Sequence, residues 1–171
     1  VSWYMRYETH ESLEDTKQWL REEEKQLDSD LLYDFGFHKK DNDELIGSGG
    51  LTFNQQQGIW ELGCNLRRDC WNQSYGTEAA AAILSFAENT LHIHRVMARH
   101  AKDNAASGRV LEKNGFSFVR ECWDQKWSGS HRFECREYIW KSEKKEEKNS
   151  AARNEVERFY DDEYEEWDRL E

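Results

Sequence analysis

Residues 70–80 read CWNQSYGTEAA, a stretch whose residue types and spacing suggest binding chemistry. Thr77, Glu78 and the four alanines that follow open a helix: a hydroxyl and a carboxylate in the first turn, then the strongest helix formers. Backbone N–H groups of such a turn have no partner inside the helix. They point outward and make a ready site for an anion such as a phosphate. A phosphate-cradling loop usually carries several glycines, and here only Gly76 is present. Local pattern alone leaves two readings open, a cofactor loop and a capped helix.

The elements around this stretch are legible from periodicity. Ser12 followed by Asp15 resembles a capping box, and Leu13, Thr16, Trp19 and Leu20 recur at helical spacing, predicting a helix over 12–26. Leu31, Tyr33, Phe35 and Phe37 then alternate with Asp34, Gly36 and His38, as in a strand. After the polar turn KKDNDE come ELIGSGGLTF and IWELGCNL, so 31–66 reads as a three-stranded antiparallel meander. A helix from Tyr75 to about Thr90 sets Ala79, Ile83, Phe86 and Ala87 on one stripe, and HRVMARH forms a strand over about 94–100. A second helix spans 104–113, with Gly115 suited to a left-handed C-terminal cap. FSFVRECW and HRFECREYIW make two last strands around the turn DQKWSGS. The fold class is α/β (α+β): a mixed, mostly antiparallel sheet flanked by helices.

At 171 residues the chain supports one core plus an appendage. Its net charge of -11 argues against nucleic acid, whose phosphates it would repel. Residues 143–171 hold 12 acids and 6 bases, and the remaining body is mildly acidic, which suits a cationic or amine substrate. Cys64, Cys70, Cys122 and Cys135 show no metal-like spacing, so reduced thiols and no metal are expected. With no membrane-length apolar run and no signal peptide, the expectation is a soluble, cytoplasmic protein without a membrane partner. The domain occupies 1–142 and SEKKEEKN leads through a charged linker over 143–150. In 151–171 the residues Val156, Phe159, Tyr160, Tyr164, Trp167 and Leu170 share one helical face. This amphipathic C-terminal helix needs an apolar partner, either the body or a second copy in a homodimer.

ELGCNLRRDCWNQSYGTEAA, followed about thirty residues later by DNAASGRVLEKNGF, resembles the GNAT acetyltransferase superfamily and within it the ribosomal-protein N-terminal acetyltransferases (RimJ/RimL-like). The family pattern is similar to E-x-G-Y-x-L-x-x-x-Y-W-G-K-G-Y-A-T-E-A and then N-x-x-S-x-x-V-L-E-K-x-G-F. Asn104, Ser107, Val110, Leu111, Glu112, Lys113, Gly115 and Phe116 match the second part. In the first part Asn72 and Ser74 replace two glycines and Gln73 replaces a basic residue. Asparagine tolerates left-handed geometry better than most residues, so binding should survive, with Arg67 and Arg68 restoring positive potential.

The resemblance implies that acetyl-CoA lies in a splay between the meander's last strand and the next strand. Its pantetheine arm would pair with the backbone of Cys64, Asn65 and Leu66, and its pyrophosphate would rest on the N–H groups of Asn72, Gln73, Ser74, Tyr75, Gly76 and Thr77. The resemblance also implies Glu61 as general base through water, Ser107 as proton donor to the departing thiolate, and Asn104 as a cofactor contact that doubles as a helix cap. Leu111 stands where many relatives carry a tyrosine acid, and Arg99 where some carry a glutamate. The implied activity is direct acetyl transfer to a primary amine, a protein N-terminus or a small amine. The alternative is a non-catalytic acyl-CoA-binding or protein-interaction module.

The family pattern further implies a first strand and helix for which the chain has no room, so the tail helix is expected to cover that face. A second reading has NEVERFYDDEYEEWDRLE begin a further domain, since it loosely resembles the lead-in helix of class I methyltransferases. On the first reading, deleting residues 149–171 lowers the melting temperature; an unchanged value would sink the packing idea.

Overall fold

The computed structural model describes residues 5–26 and 29–142. Helix α1, Leu13–Gln26, starts at the anticipated capping box: Asp15 N–H donates to Ser12 Oγ at 3.1 Å and Ser12 N–H donates to Asp15 Oδ2 at 2.9 Å. Strands β1 (Leu32–His38), β2 (Leu45–Asn54) and β3 (Ile59–Leu66) form the antiparallel meander. Helix α2, Tyr75–Asn89, crosses to β4, Arg95–Ala101, which runs parallel to β3. Helix α3, Ala105–Lys113, then leads to β5 (Ser117–Gln125) and β6 (Arg132–Lys141). The six strands lie in the order β1-β2-β3-β4-β6-β5, and β3/β4 is the parallel pair. A helix crossover is what joins parallel neighbours, and α2 supplies it.

The core lies between the sheet and the pair α2 and α3, where Leu51, Trp60, Leu62, Val96 and Ala98 meet Ala80, Ile83, Leu84 and Leu111. Tyr33 and Phe35 both pack edge-to-face against Phe86, which bears out the β1 alternation. The stripe on α2 is rotated from the sequence expectation. Ala80, Ile83, Leu84 and Ala87 are buried, while Ala79 and Phe86 are half-buried, because α2 packs on α3 as well as on the sheet. Gly115 takes φ +81°, the left-handed cap expected of it.

One sequence expectation changes. Cys122 and Cys135 are joined as a disulfide, not left as separate thiols; they stand directly opposite on β5 and β6, 5.1 Å apart at Cα. Among the described residues no strand precedes α1. The opening segment instead runs along the β5–β6 hairpin, where Trp127 N–H donates to Arg6 O at 2.8 Å and Lys126 Nζ donates to Tyr7 O at 2.9 Å. The linker and the tail helix, residues 143–171, lie outside the described residues.

The glycines of β2 let the meander close tightly. A Cβ on Gly50 would stand 1.8 Å from the Tyr33 carbonyl oxygen on β1, closer than any real contact. Gly50→Ala is therefore expected to lower stability by about 1–3 kcal/mol, read as a fall in the denaturant midpoint at unchanged m-value. An unaltered midpoint would mean that the β1–β2 spacing gives way freely.

Candidate active site

Pairing between β3 and β4 covers only Trp60 with Val96 and Glu61 with Met97. Beyond those residues the strands part, while β3 stays bonded to β2 as far as Leu66 and β4 stays bonded to β6 as far as Ala101. The result is a V in the sheet that opens toward the carboxyl ends of both strands. Among the described residues no strand lies across from the inner edge of β3, including Cys64, Asn65 and Leu66, so its backbone groups are available to a ligand. The Asn65 side chain is turned the other way, donating to Ser48 Oγ at 3.1 Å.

The loop from Arg67 to Ser74 carries the chain from the mouth of the V to the start of α2. Asn72 has φ 58° and Ser74 φ 66°, so the two residues that replace glycines in the family pattern both adopt the left-handed region. Side chains brace the loop from within: Trp71 Nε1 donates to Leu66 O at 3.0 Å and Gln73 Nε2 donates to Asp69 O at 2.9 Å. Ser74 caps α2 without a side-chain hydrogen bond, which leaves the first-turn N–H groups of Tyr75, Gly76 and Thr77 facing outward. The amide of Asn114 donates to Thr77 O at 3.3 Å and to Val110 O at 2.9 Å, tying the start of α2 to the end of α3. The two family stretches thus meet in space. Of the two arginines expected to add positive potential, Arg67 is already taken by Glu44 at 2.7 Å and by Asp69. Arg68 is exposed and makes no ion pair among the described residues.

Helix α3 starts four residues beyond β4, so its N-terminus flanks the same mouth. Asn104 caps it: its side-chain oxygen accepts from Ser107 N–H, and its own N–H donates to Ala101 O at 2.7 Å. Ser107 is half-buried. Leu111 is in the core and has no proton to offer. Burial pushes the Cys64 thiol up to about 11, so it stays protonated and is a poor nucleophile at neutral pH.

Glu61 alternates with Trp60 and Leu62 and therefore faces away from α2 and α3. Both of its oxygens are engaged by Arg99 of β4: Nε to Oε1 at 3.1 Å and Nη2 to Oε2 at 2.9 Å. Arg99 Nη1 lies 3.6 Å from Asp124 Oδ2, and Asp124 in turn holds Arg6 Nε at 3.3 Å. Glu137, opposite Arg99 on β6, binds Arg120 with both oxygens, at 3.0 and 3.3 Å. Charges thus alternate across four strands on the face opposite the helices. Burial alone would lower the Arg99 pKa, but the hydrogen bonds and charge of Glu61, with Asp124 and Glu137 behind, hold it above its ordinary value. The sequence marked Glu61 and Arg99 as positions of interest, but not their contact, and it placed Asp124 in a turn. Arg6, Arg120 and Glu137 gave no signal beyond charge at alternate strand positions. Ser107 belongs to the helix side of the sheet and Glu61 to the other, and the V is where the two sides communicate.

A gap between parallel strands, flanked at its carboxyl end by two helix N-termini, defines a class of α/β domain suited to an anionic cofactor. A family model described as Acetyltransferase (GNAT) domain matches residues 2–117, and the chain belongs to that family. It is 30% identical over 88 residues to an uncharacterised N-acetyltransferase, p20, of Bacillus licheniformis, covering 51% of this chain and 48% of the relative. It is 31% identical over 85 residues to the [ribosomal protein uS5]-alanine N-acetyltransferase of Escherichia coli (strain K12), covering 48% and 43%. The chain thus spans about half the length of the curated relatives it matches. In fold it is similar to spermidine N-acetyltransferase from Vibrio cholerae in complex with CoA and spermine, at TM-score 0.67 and 14% identity over 81% of this chain and 80% of that one.

The left-handed Ser74 is the point at which the loop is open to test. A side chain there costs about 1–2 kcal/mol relative to glycine already in the ligand-free protein, so Ser74→Gly should raise the denaturant midpoint and leave coenzyme A affinity within about threefold of the wild type in calorimetric titration. A roughly tenfold loss of affinity would mean that the serine side chain itself holds the cofactor.

Proposed function

We propose that the chain transfers an acetyl group from acetyl-CoA to a primary amine by direct reaction in a ternary complex. The observation that carries this reading is the break in β3–β4 pairing after Glu61 and Met97, with the uncapped start of α2 at its mouth. A pantetheine arm laid against Cys64, Asn65 and Leu66 would replace the missing strand. Its pyrophosphate would sit on the N–H groups of Asn72, Gln73, Ser74, Tyr75, Gly76 and Thr77.

In this reading the thioester reaches through the V toward the face that carries Glu61. The neutral amine nitrogen attacks the acetyl carbonyl carbon, and the carbon–sulfur bond breaks as the tetrahedral intermediate collapses. Glu61 takes the amine proton through a water. Ser107, on the helix side, gives its hydroxyl proton to the thiolate and regains one from solvent, while Asn104 fixes the start of α3 beside the sulfur. The high pKa of Cys64 favours direct transfer over an acetyl-enzyme on that thiol.

We assign the chain to the RimJ/RimL-like branch and take a protein N-terminus as the first acceptor to try, with small amines behind it. The likeness to a relative named for a ribosomal-protein alanine supports the first, and the spermine complex of a fold neighbour supports the second. We place the reaction in the cytoplasm. Among the described residues no helix is long and apolar enough to cross a membrane.

A thiol-release assay with acetyl-CoA and a panel of peptides and small amines tests the reading. Turnover is expected, and Glu61→Gln should lower kcat by about 100-fold, within the usual span of general-base contributions. Coenzyme A binding without turnover on any amine, and no loss in Glu61→Gln, would replace the transferase by a binding module.

A further inference from the structure

We infer that Arg99 is a placeholder for the acceptor amine: its guanidinium occupies Glu61 in the empty protein, and a cationic acceptor must displace it. The inference rests on the transferase reading above and names what selects the acceptor at that site. Arg99 lies two residues past the last β3–β4 pair, so its side chain reaches back across the opening V to a strand it no longer bonds through the backbone. The fork fills both oxygens of Glu61, and both side chains are mostly shielded, 14% and 22% exposed. Any amine that needs this carboxylate meets it already occupied.

Displacement is possible because Arg99 has another carboxylate in reach. Asp124 Oδ2 is 3.6 Å from Nη1, and Glu137, held by Arg120 at the paired position on β6, adds negative charge behind it. A guanidinium released from Glu61 keeps a buried counter-charge, so the exchange leaves no ion stranded in a shielded site. An arriving ammonium restores the charge on Glu61 that Arg99 gave up. A neutral hydroxyl or a weakly basic aromatic amine cannot, and is refused. Arg99 is therefore a positioning residue that sets acceptor affinity and favours acceptors arriving as cations. Its occupancy of Glu61 weakens the apparent affinity of every acceptor, as any competing closed state does.

Variants on the two sides of Arg99 should move acceptor binding in opposite directions. With propylamine and an alanyl peptide as probes, and acetyl-CoA saturating, Arg99→Gln should lower the acceptor KM about tenfold. Asp124→Asn takes away the fallback partner and should raise it several-fold, and Arg99→Lys should fall between Arg99→Gln and the wild type. A merely structural role would raise KM in all three, and that result overturns the inference while leaving the transferase reading intact. Absence of thiol release from the wild-type chain overturns the reading and the inference together. Should the variants fail to fold, the Arg99 Nε–H resonance of the wild-type protein, with coenzyme A bound, provides the second measurement. It is expected to shift as propylamine saturates the site, and a resonance that stays in place overturns the inference.

Discussion

Two residue pairs, Trp60 with Val96 and Glu61 with Met97, hold the sheet together at its middle. On one side is the β1-β2-β3 meander and on the other the β4-β6-β5 set, each bonded internally over seven or more residues per strand. Such a sheet would be weak at its centre without something spanning it. Helix α2 does so above, with Ala80, Ile83 and Leu84 set against Trp60 and Leu62 from one half and Val96 from the other. The Asn114 amide adds a polar tie between α2 and α3. On the opposite face the span is made by Arg99 and Glu61. The same parting that weakens the sheet frees a row of backbone donors and acceptors, and it is these that give the domain its capacity to bind an extended ligand.

The charged row on that opposite face is hard to explain as a stability device. Replacing a buried ion pair with apolar residues is often neutral or stabilising by about 1–4 kcal/mol, whereas removing one partner costs about 3–5 kcal/mol. The shielded members of the row, Glu61, Arg99, Asp124 and Glu137, are thus expensive to unpair and give little by being present, while Arg120 and Arg6 reach the surface. The row's value lies in orientation. Glu61 and Glu137 are each fixed by a planar fork, and the reach across the V is made by a side chain whose charge has a second home. Met97, Cys135 and Tyr138 supply apolar packing at the sheet centre, so the row does not carry the core.

What the sequence disclosed and what it hid divide along the range of the interactions. The capping box at Ser12 and Asp15, the left-handed Gly115 and the turn into α2 are written within four residues of one another, and each appeared where expected. The burial of α2 was misplaced at Ala79 and Phe86, where Ala80 and Leu84 are the buried residues, because the helix answers to two neighbours, the sheet and α3, and periodicity reports only an average face. Cys122 and Cys135 were legible in principle, since the hairpin around DQKWSGS sets them opposite once the register is known. That register is set by the turn, from Gln125 opposite Arg132 back to Cys122 opposite Cys135, and the length of the turn is what the residue pattern leaves open. Asp124 and Arg6 are separated by 118 positions, and only the packing of the opening segment on the hairpin brings them to 3.3 Å.

The loop before α2 shows how main-chain recognition can outlast its usual residue types. Left-handed geometry costs an L residue about 1–2 kcal/mol relative to glycine. Against this, a glycine would widen the unfolded ensemble by about 0.4–1 kcal/mol. The difference leaves the serine held at a net loss of between zero and about 1.6 kcal/mol. The holding is done by neighbours: the Trp71 indole on Leu66 O, the Gln73 amide on Asp69 O and the Asn114 amide on Thr77 O. Each of these side chains anchors a backbone oxygen and leaves the N–H groups outward. A loop built in this way is ordered before any ligand arrives, and the ordering entropy saved on binding offsets part of the strain it carries.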